Sequence, residues 1–284
     1  MKNIFRTIAY ILVGVFALIG IGFTAVYAGM HFDLFSVRGS ISERNDFFGN
    51  KSPSQTETSL PCNDASVAVC EWNQTSEWEA ISGGLLKDKA LIERVAAETG
   101  IDPRMISAVV VPEQTRFFTS NRDLFKSYFE PLKVLGSLSK FSLGVSGIKI
   151  ETAKAIEANI FNPSSLYYLG EETKELIAYP ETTEGRDAEL YRRLTDNKDR
   201  YYQYLYTALF IKQIQTQWEA AGYPVADKPE VIVTLFNLGF VKSRPNPTPK
   251  AGGAIITTGG KTYTYGELGS LFYYSDELPE LGTL

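Results

Sequence analysis

The spacing of hydrophobic and polar residues changes twice along the chain. Residues 8–29 carry no charge, and residues 30–84 are polar and rich in Ser, Asn, Thr and Glu. From Leu85 onward, apolar residues recur at helical spacing, interrupted by Gly and Pro. The pattern therefore predicts an apolar segment, a polar extracytoplasmic stalk over residues 30–84, and a globular domain over residues 85–284.

The domain pattern is mostly helical. A helical stripe closes at Gly100, and Asp102-Pro103 then opens a second helix with an N-cap and a proline at its first position. This second helix is apolar on nearly all sides, so we expect it to be central. Two glycines, Gly259 and Gly260, sit between alternating stretches and predict a β-hairpin. Further helices are predicted over Glu151–Phe161, Arg200–Gly222 (amphipathic) and Pro229–Gly239.

The apolar segment IAYILVGVFALIGIGFTAVYAG is long enough to cross a hydrocarbon core of about 30 Å. Lys2 and Arg6 precede it, so residues 1–7 are expected in the cytoplasm and the domain outside it. The alternative is a cleaved signal peptide with its cleavage site at Val26–Gly29. Both interpretations place the remainder outside the cytoplasm, and the first makes the protein a single-pass protein of the cell membrane.

Cysteine and charge content narrow the chemistry. Cys62 and Cys70 are the two cysteines of the chain, and outside the cytoplasm they predict a local disulfide. Two cysteines do not make a zinc site, and the one histidine, His31, lies at the edge of the apolar segment. No metal or organic cofactor is therefore implied. The net charge of −5 argues against nucleic acid as a partner.

The stretch AVVVPEQTRFF carries the main candidate for chemistry. Glu113 follows a run of valines and Pro112 directly, and glutamate rarely ends a buried apolar run without a partner. Apolar surroundings disfavour a charged carboxylate and would keep the acid protonated. The alternative is a solvated glutamate at a helix end. The expected walls around the acid are Val109, Val110, Val111, Phe117 and Phe118.

Three segments occur in an order that resembles a known family. They are DPRMISAVVVPEQTRF with Glu113, GVSGIKIETA with Gly144 and Thr152-Ala153, and LFNLG with Asn237 and Gly239. This order resembles the catalytic domain of the lytic transglycosylases, in the lysozyme-like superfamily. The similarity extends over about residues 85–240. The glutamine that the family carries in the second segment is replaced here by Gly147.

The resemblance implies a mostly α, lysozyme-like domain with a small β-hairpin that cleaves the glycan strands of peptidoglycan. Glu113 would protonate the glycosidic bond after N-acetylmuramic acid and then deprotonate the sugar's 6-hydroxyl, which leaves a 1,6-anhydro end. Anchoring would confine cleavage to the wall near the membrane, as suits wall remodelling or the insertion of an envelope machine. Two alternatives remain: a hydrolytic muramidase using Asp123 or Glu130 as a base, and a non-catalytic wall-binding scaffold on the same fold.

Further residues are candidates for substrate binding. The small residues of the second segment would form a backbone wall against the sugar, or only a tight connection into the next helix. The resemblance places the third segment in the groove, although Asn237 and Gly239 also suit a plain helix end. Aromatic faces stack on sugars, but tyrosine is also common in strands. The candidates are Gly144, Val145, Ser146, Gly147, Asn237, Gly239, Tyr263 and Tyr265.

Overall fold

The computed structural model describes residues 70–119, 142–181, 183, 185–196 and 198–282, together with Ile21. The chain divides into two units, Met1–Val37 and Arg38–Leu284. Within the first unit the structure describes one residue, Ile21, which is helical and exposed. Among the described residues, no helix combines the length and the hydropathy needed to cross a membrane. The remainder of the predicted anchor, Asp123 and Glu130 lie outside the described residues.

The second unit is mostly helical, as the sequence predicts. Its helices begin and end close to the expected caps: Arg104 N donates to Asp102 Oδ1 over 2.8 Å, and Gly100 ends its helix at φ 72°. The helices described are α1 (Ser76–Lys87), α2 (Lys89–Thr99), α3 (Pro103–Thr119), α4 (Ile150–Phe161), α5 (Thr173–Leu176), α6 (Arg186–Thr195), α7 (Tyr201–Ala220), α8 (Pro229–Leu238) and α9 (Tyr265–Tyr273).

Two antiparallel hairpins accompany the helices. Strands β3 (Ile255–Thr258) and β4 (Lys261–Thr264) pair around the predicted two-glycine turn. Strands β1 (Ser142–Leu143) and β2 (Ile148–Lys149) form a second hairpin, which the sequence pattern did not predict. Its four-residue connection, residues 144–147, lies within the segment Ser142–Gly147 that was expected to form a backbone wall.

The predicted stalk extends too far along the chain. Helix α1 begins before Leu85, and its Trp78 and Ile81 are buried. Trp78 packs edge-on against Trp72 at 4.8 Å and lies 5.7 Å from Phe272, between ring centroids. Residues 70–84 therefore belong to the globular unit, because two tryptophans within a polar stretch anchor it to the core. Cys70 is disulfide-bonded, and its predicted partner Cys62 lies outside the described residues.

Helix α7 lies at the expected place but is not amphipathic. Most of its side chains are buried, including Tyr204, Tyr206 and Phe210. The two tyrosine hydroxyls donate to the carboxylates of Asp88 and Glu157, respectively. The prediction of an exposed face was wrong because tyrosines that look polar in sequence are satisfied inside the core.

Helix α9 was also not foreseen, and both of its ends are fixed. Thr264 and Glu267 form a capping box, so the helix starts at Tyr265 immediately after β4. At the other end, the buried Arg104 of α3 donates to the carbonyl oxygens of Phe272 and Tyr273 over 2.9 and 2.6 Å. These contacts hold α9 against α3 and set the position of Tyr265.

Candidate functional site

A groove of about 330 Å³ opens beside the second half of α3. It is bordered by the β1–β2 turn, the start of α4, the end of α8 and the 3₁₀ turn Phe240–Lys242. Its polar lining residues are Glu113, Ser146, Lys149, Glu151, Thr152, Asn237 and Tyr265. Its larger apolar lining residues are Ile148, Phe210, Phe236, Leu238, Phe240 and Val241.

Glu113 lies in the wall of this groove and is only 4% exposed. Its Oε2 atom is 3.3 Å from the hydroxyl of Tyr265. Its Oε1 atom faces Gly147, where an added Cβ would lie 2.3 Å away. Gly147 also has φ 66°, a backbone conformation that favours glycine. The absence of a side chain at position 147 is thus what gives the Glu113 carboxyl its place.

The hydroxyl of Tyr265 serves two acceptors. It lies 3.1 Å from the carbonyl oxygen of Val109 as well as 3.3 Å from Glu113 Oε2. A phenol carries one hydrogen, so it donates to one of these oxygens at a time. When Glu113 is protonated the hydroxyl can donate to Val109, and when Glu113 is ionised it can turn to the carboxylate. Tyr265 can therefore accompany a change in the protonation of Glu113.

Pro112 lies inside α3, which continues through it to Thr119. Proline has no N–H, so the carbonyl of Ala108 loses its usual helical donor. Gly269 of α9 comes against this carbonyl so closely that a Cβ there would lie 2.6 Å from the oxygen. Helix α9 thus meets α3 at two successive carbonyls, through Gly269 at Ala108 and through Tyr265 at Val109. Helix α9 therefore packs against α3 at the carbonyl that Pro112 leaves without its helical donor.

The β1–β2 turn is held from both sides by glutamines. Gln114 Nε2 donates to the carbonyl oxygen of Val145, and Val145 N donates to Gln203 Oε1 over 3.0 Å. Ser146 Oγ lies 2.5 Å from Thr207 Oγ1. All of these polar side chains are buried, so the turn is fixed to α3 and α7. This clamp keeps the backbone of Gly147 against Glu113.

Asn237, at the end of α8, contributes a hydrogen-bond donor to the groove. Its Oδ1 atom accepts from Ala254 N over 2.9 Å, which fixes the orientation of the amide. Its Nδ2 atom makes no hydrogen bond with any residue that the structure describes. Gly239 follows with φ 85° and ends the helix. Because Oδ1 is held by Ala254 N, Nδ2 is the atom of this amide that can donate to a molecule in the groove.

The structure brings most of the predicted residues together. Ser146, Gly147, Asn237, Gly239 and Tyr265 line the same groove as Glu113. Gly144 and Val145 lie in the clamped turn but do not line the groove. Gly144 has φ 69° and lies against Gln203 of α7.

Tyr263 is not brought to the groove. It lies on β4, is 7% exposed, and its buried hydroxyl faces the backbone of Trp72 rather than the groove. The ring of Tyr265 is 1% exposed, so it contributes its hydroxyl to the site rather than an open face. Tyr263 and Tyr265, which were predicted on one strand, therefore do not form a surface on which a sugar could stack.

Several residues of the groove were missed in the sequence. The valines that were expected to surround Glu113 lie on the same helix but do not line the groove. Its apolar lining comes from Ile148 of β2 and from α7, α8 and the 3₁₀ turn, which are distant in the chain. A second carboxylate, Glu151, and a cation, Lys149, flank the start of α4 in the groove. Gln203 and Thr207, one helical turn apart in a buried helix, were a usable signal for a polar clamp. Within the described residues, no group of side chains suited to hold a metal ion is found.

Comparison of the chain with protein-family models, with curated proteins and with solved structures found no match.

Proposed function

We propose that this protein cleaves the glycan strands of peptidoglycan by a lytic transglycosylase reaction on a lysozyme-like fold. The observation that carries the proposal is the position of Glu113: a nearly buried carboxyl in a groove wall, between the Gly147 backbone and the Tyr265 hydroxyl. A carboxyl held in this way against apolar side chains suits an acid that meets a bound sugar oxygen.

The reaction needs one carboxyl group. Glu113 donates its proton to the oxygen that leaves C1 of N-acetylmuramic acid, and the C1–O bond breaks. The 6-hydroxyl oxygen of the same sugar then bonds to C1, and its proton passes to the Glu113 carboxylate. Atoms and charge balance without water, the acid is restored, and the new end is a 1,6-anhydro sugar. During the ionised stage, Tyr265 donates to Glu113 Oε2 in place of Val109.

The remaining groove residues would position the sugar. Asn237 Nδ2 is directed as a donor for a hydroxyl or acetamido oxygen, because its Oδ1 is already held by Ala254. The glycine at position 147, where the resembling family carries a glutamine, leaves room for the Glu113 carboxyl in the groove wall against which the sugar would bind. The clamp of Gln114 and Gln203 makes this wall rigid, which favours a single bound geometry.

Hydrolysis is the second candidate function, and Glu151 supports it. This exposed carboxylate lies in the same groove as Glu113 and could activate a water, which would make the protein a muramidase with two carboxylates. It lies in the first turn of α4, whereas Asp123 and Glu130 lie outside the described residues. We favour the lytic reaction because it needs a single carboxyl group: Glu113 is buried in the groove wall, whereas Glu151 is exposed.

The test is the digestion of purified peptidoglycan in water enriched in oxygen-18, followed by mass spectrometry of the fragments. We expect anhydro ends without oxygen-18 from the wild type and from Glu151→Gln. Reducing ends that carry oxygen-18, lost in Glu151→Gln, would instead establish the hydrolase. Retained binding without any fragments would establish the non-catalytic scaffold.

A further inference from the structure

The groove is small for a polymer. Its volume of about 330 Å³ lies at the low end of the range of roughly 300–1,000 Å³ that ligand pockets span. A glycan strand must therefore continue over the surface beside it. Two side chains on this side of the molecule are the most exposed among the large hydrophobic residues that the structure describes: Val241, which lines the groove, is 87% exposed, and Leu166, the neighbour of Tyr167 in the chain, is 68% exposed.

Tyr167 joins this border to the groove. Its ring packs edge-on against Phe240, with centroids 4.8 Å apart, and Phe240 in turn lies 4.4 Å from Phe210 in the groove lining. The Tyr167 hydroxyl makes no hydrogen bond with the part of the chain that the structure describes. The ring is partly buried, and this burial raises the pKa of the Tyr167 hydroxyl above its ordinary value of 10.0.

The segment that carries Tyr167 is held in place. Tyr167 N donates to Ser165 Oγ over 3.1 Å, and Ser165 Oγ donates to Asn159 Oδ1 over 2.8 Å. Asn159 lies on α4, whose first turn borders the groove. Tyr167 thus combines an apolar ring with a hydroxyl that has no partner among the described residues, and it lies beside exposed carbon. This combination suits a sugar ring, which offers both C–H groups and hydroxyls.

We propose that Tyr167, Val241 and Leu166, the aromatic rim, bind the glycan strand where it leaves the groove. The inference rests on the proposed function and adds that the protein prefers long strands to short ones. The occupant is a saccharide rather than a protein, because the rim is continuous with the groove and places a tyrosine hydroxyl beside exposed carbon.

The experiment measures equilibrium binding of N-acetylglucosamine oligomers of two and six units to the Glu113→Gln protein, which holds saccharide without turnover. Adding Tyr167→Ala should weaken hexamer binding roughly three- to tenfold and leave dimer binding unchanged. Adding Val241→Ser, at a side chain too exposed to affect folding, should weaken hexamer binding in the same direction. The matched control is Tyr274→Ala: Tyr274 is 55% exposed, packs edge-on against Tyr273 at 5.3 Å and does not line the groove.

The outcomes separate the rim from the proposed function. Equal hexamer affinity in the parent, Tyr167→Ala and Val241→Ser proteins would overturn the rim while leaving the function standing. A parent protein that binds neither oligomers nor peptidoglycan would overturn both. An altered oligomeric state of Val241→Ser with unchanged hexamer affinity would overturn the rim in favour of self-association.

Discussion

The hydroxyl of Tyr265 lies 3.3 Å from Glu113 Oε2 and 3.1 Å from the carbonyl oxygen of Val109, one helical turn before Glu113. The two residues are 152 positions apart in the chain. Their contact depends on the docking of α9 at Pro112, on the capping box that starts α9, and on the anchoring of its far end by Arg104. The candidate acid is therefore supported by elements from the whole described domain.

Replacing Tyr265 by Phe removes this hydroxyl and keeps the ring. Because hydrogen bonds to charged groups contribute about 1.5–3 kcal/mol, we expect kcat for glycan cleavage to fall roughly ten- to hundredfold with little change in KM. Tyr263→Phe is the matched control, since its hydroxyl is also buried but lies outside the groove. Equal kcat in the two variants would show that the hydroxyl of Tyr265 does not act on Glu113.

Replacing Gly147 by Ala should displace the Glu113 carboxyl, because the new Cβ would lie 2.3 Å from Oε1. A displacement of about 1 Å at the acid can reduce the rate by about a hundredfold. Gly222→Ala controls for backbone strain: its φ is 81°, and nothing lies within 4 Å of the added Cβ. Each variant should lose about 1–2 kcal/mol of unfolding free energy. Only Gly147→Ala should lose activity, and parallel losses of activity would contradict the assignment.

Replacing Asn237 by Asp tests the donor in the groove. The remaining Oδ1 can still accept from Ala254 N, so the fold should be kept, but Nδ2 becomes an acceptor. We expect binding of N-acetylglucosamine oligomers to weaken roughly tenfold, measured by calorimetry. Asn246→Asp is the control, because Asn246 is exposed and its Oδ1 accepts from Thr248 N in the same manner. Unchanged affinity in Asn237→Asp would remove the amide from the binding site.

Glu157 of α4 accepts hydrogen bonds from the hydroxyls of Tyr179 and Tyr206. This cluster predicts a loss of stability at alkaline pH. Burial, and then the hydrogen bond to Glu157, raise the pKa of Tyr179 to about 12 from the ordinary value of 10.0. Burial and the charge of Glu157 also raise the pKa of Tyr206. A raised pKa in the folded state gives stability that is complete below pH 10 and is lost as the pH rises through the folded value.

Urea unfolding between about pH 9 and 12 measures this effect. The free energy of unfolding should fall steeply above about pH 10 in the wild type. It should fall less steeply in Tyr206→Phe, which lacks one of the two hydroxyls that donate to Glu157. At neutral pH the variant should be less stable by about 1–3 kcal/mol, because the buried Glu157 loses a donor. If the free energy of unfolding falls with pH equally in both proteins, the pKa of Tyr206 is the same in the folded and unfolded states, which would contradict the prediction.

Local signals in the sequence predicted most helices and pointed to the candidate acid. Asp102-Pro103 and Gly100 are caps whose effect depends on neighbouring residues only, and the two-glycine turn of β3–β4 is equally local. Glu113 stood out because a carboxylate after buried valines needs an explanation. The amphipathic interpretation of α7 failed because Tyr204 and Tyr206 find carboxylate partners on other helices.

Long-range pairings could not be predicted. Nothing near Tyr265 in the chain indicates that its hydroxyl meets Glu113, and Pro112 gains a meaning only once Gly269 is seen against Ala108. Gly147, at the position where the resembling family carries a glutamine, looked like a loss in the sequence. In the structure it is the feature that makes room for the Glu113 carboxyl.

The most direct test of the central claim is the rate at which Glu113→Gln releases anhydro-ended fragments from peptidoglycan, compared with the wild type. The variant keeps the size of the side chain and cannot donate a carboxylic proton. We predict a loss of roughly a hundred- to ten-thousandfold in kcat, the range for general acid–base catalysis, with binding to peptidoglycan retained. Fragment release at the wild-type rate by a folded Glu113→Gln protein would contradict the assignment of Glu113 as the acid.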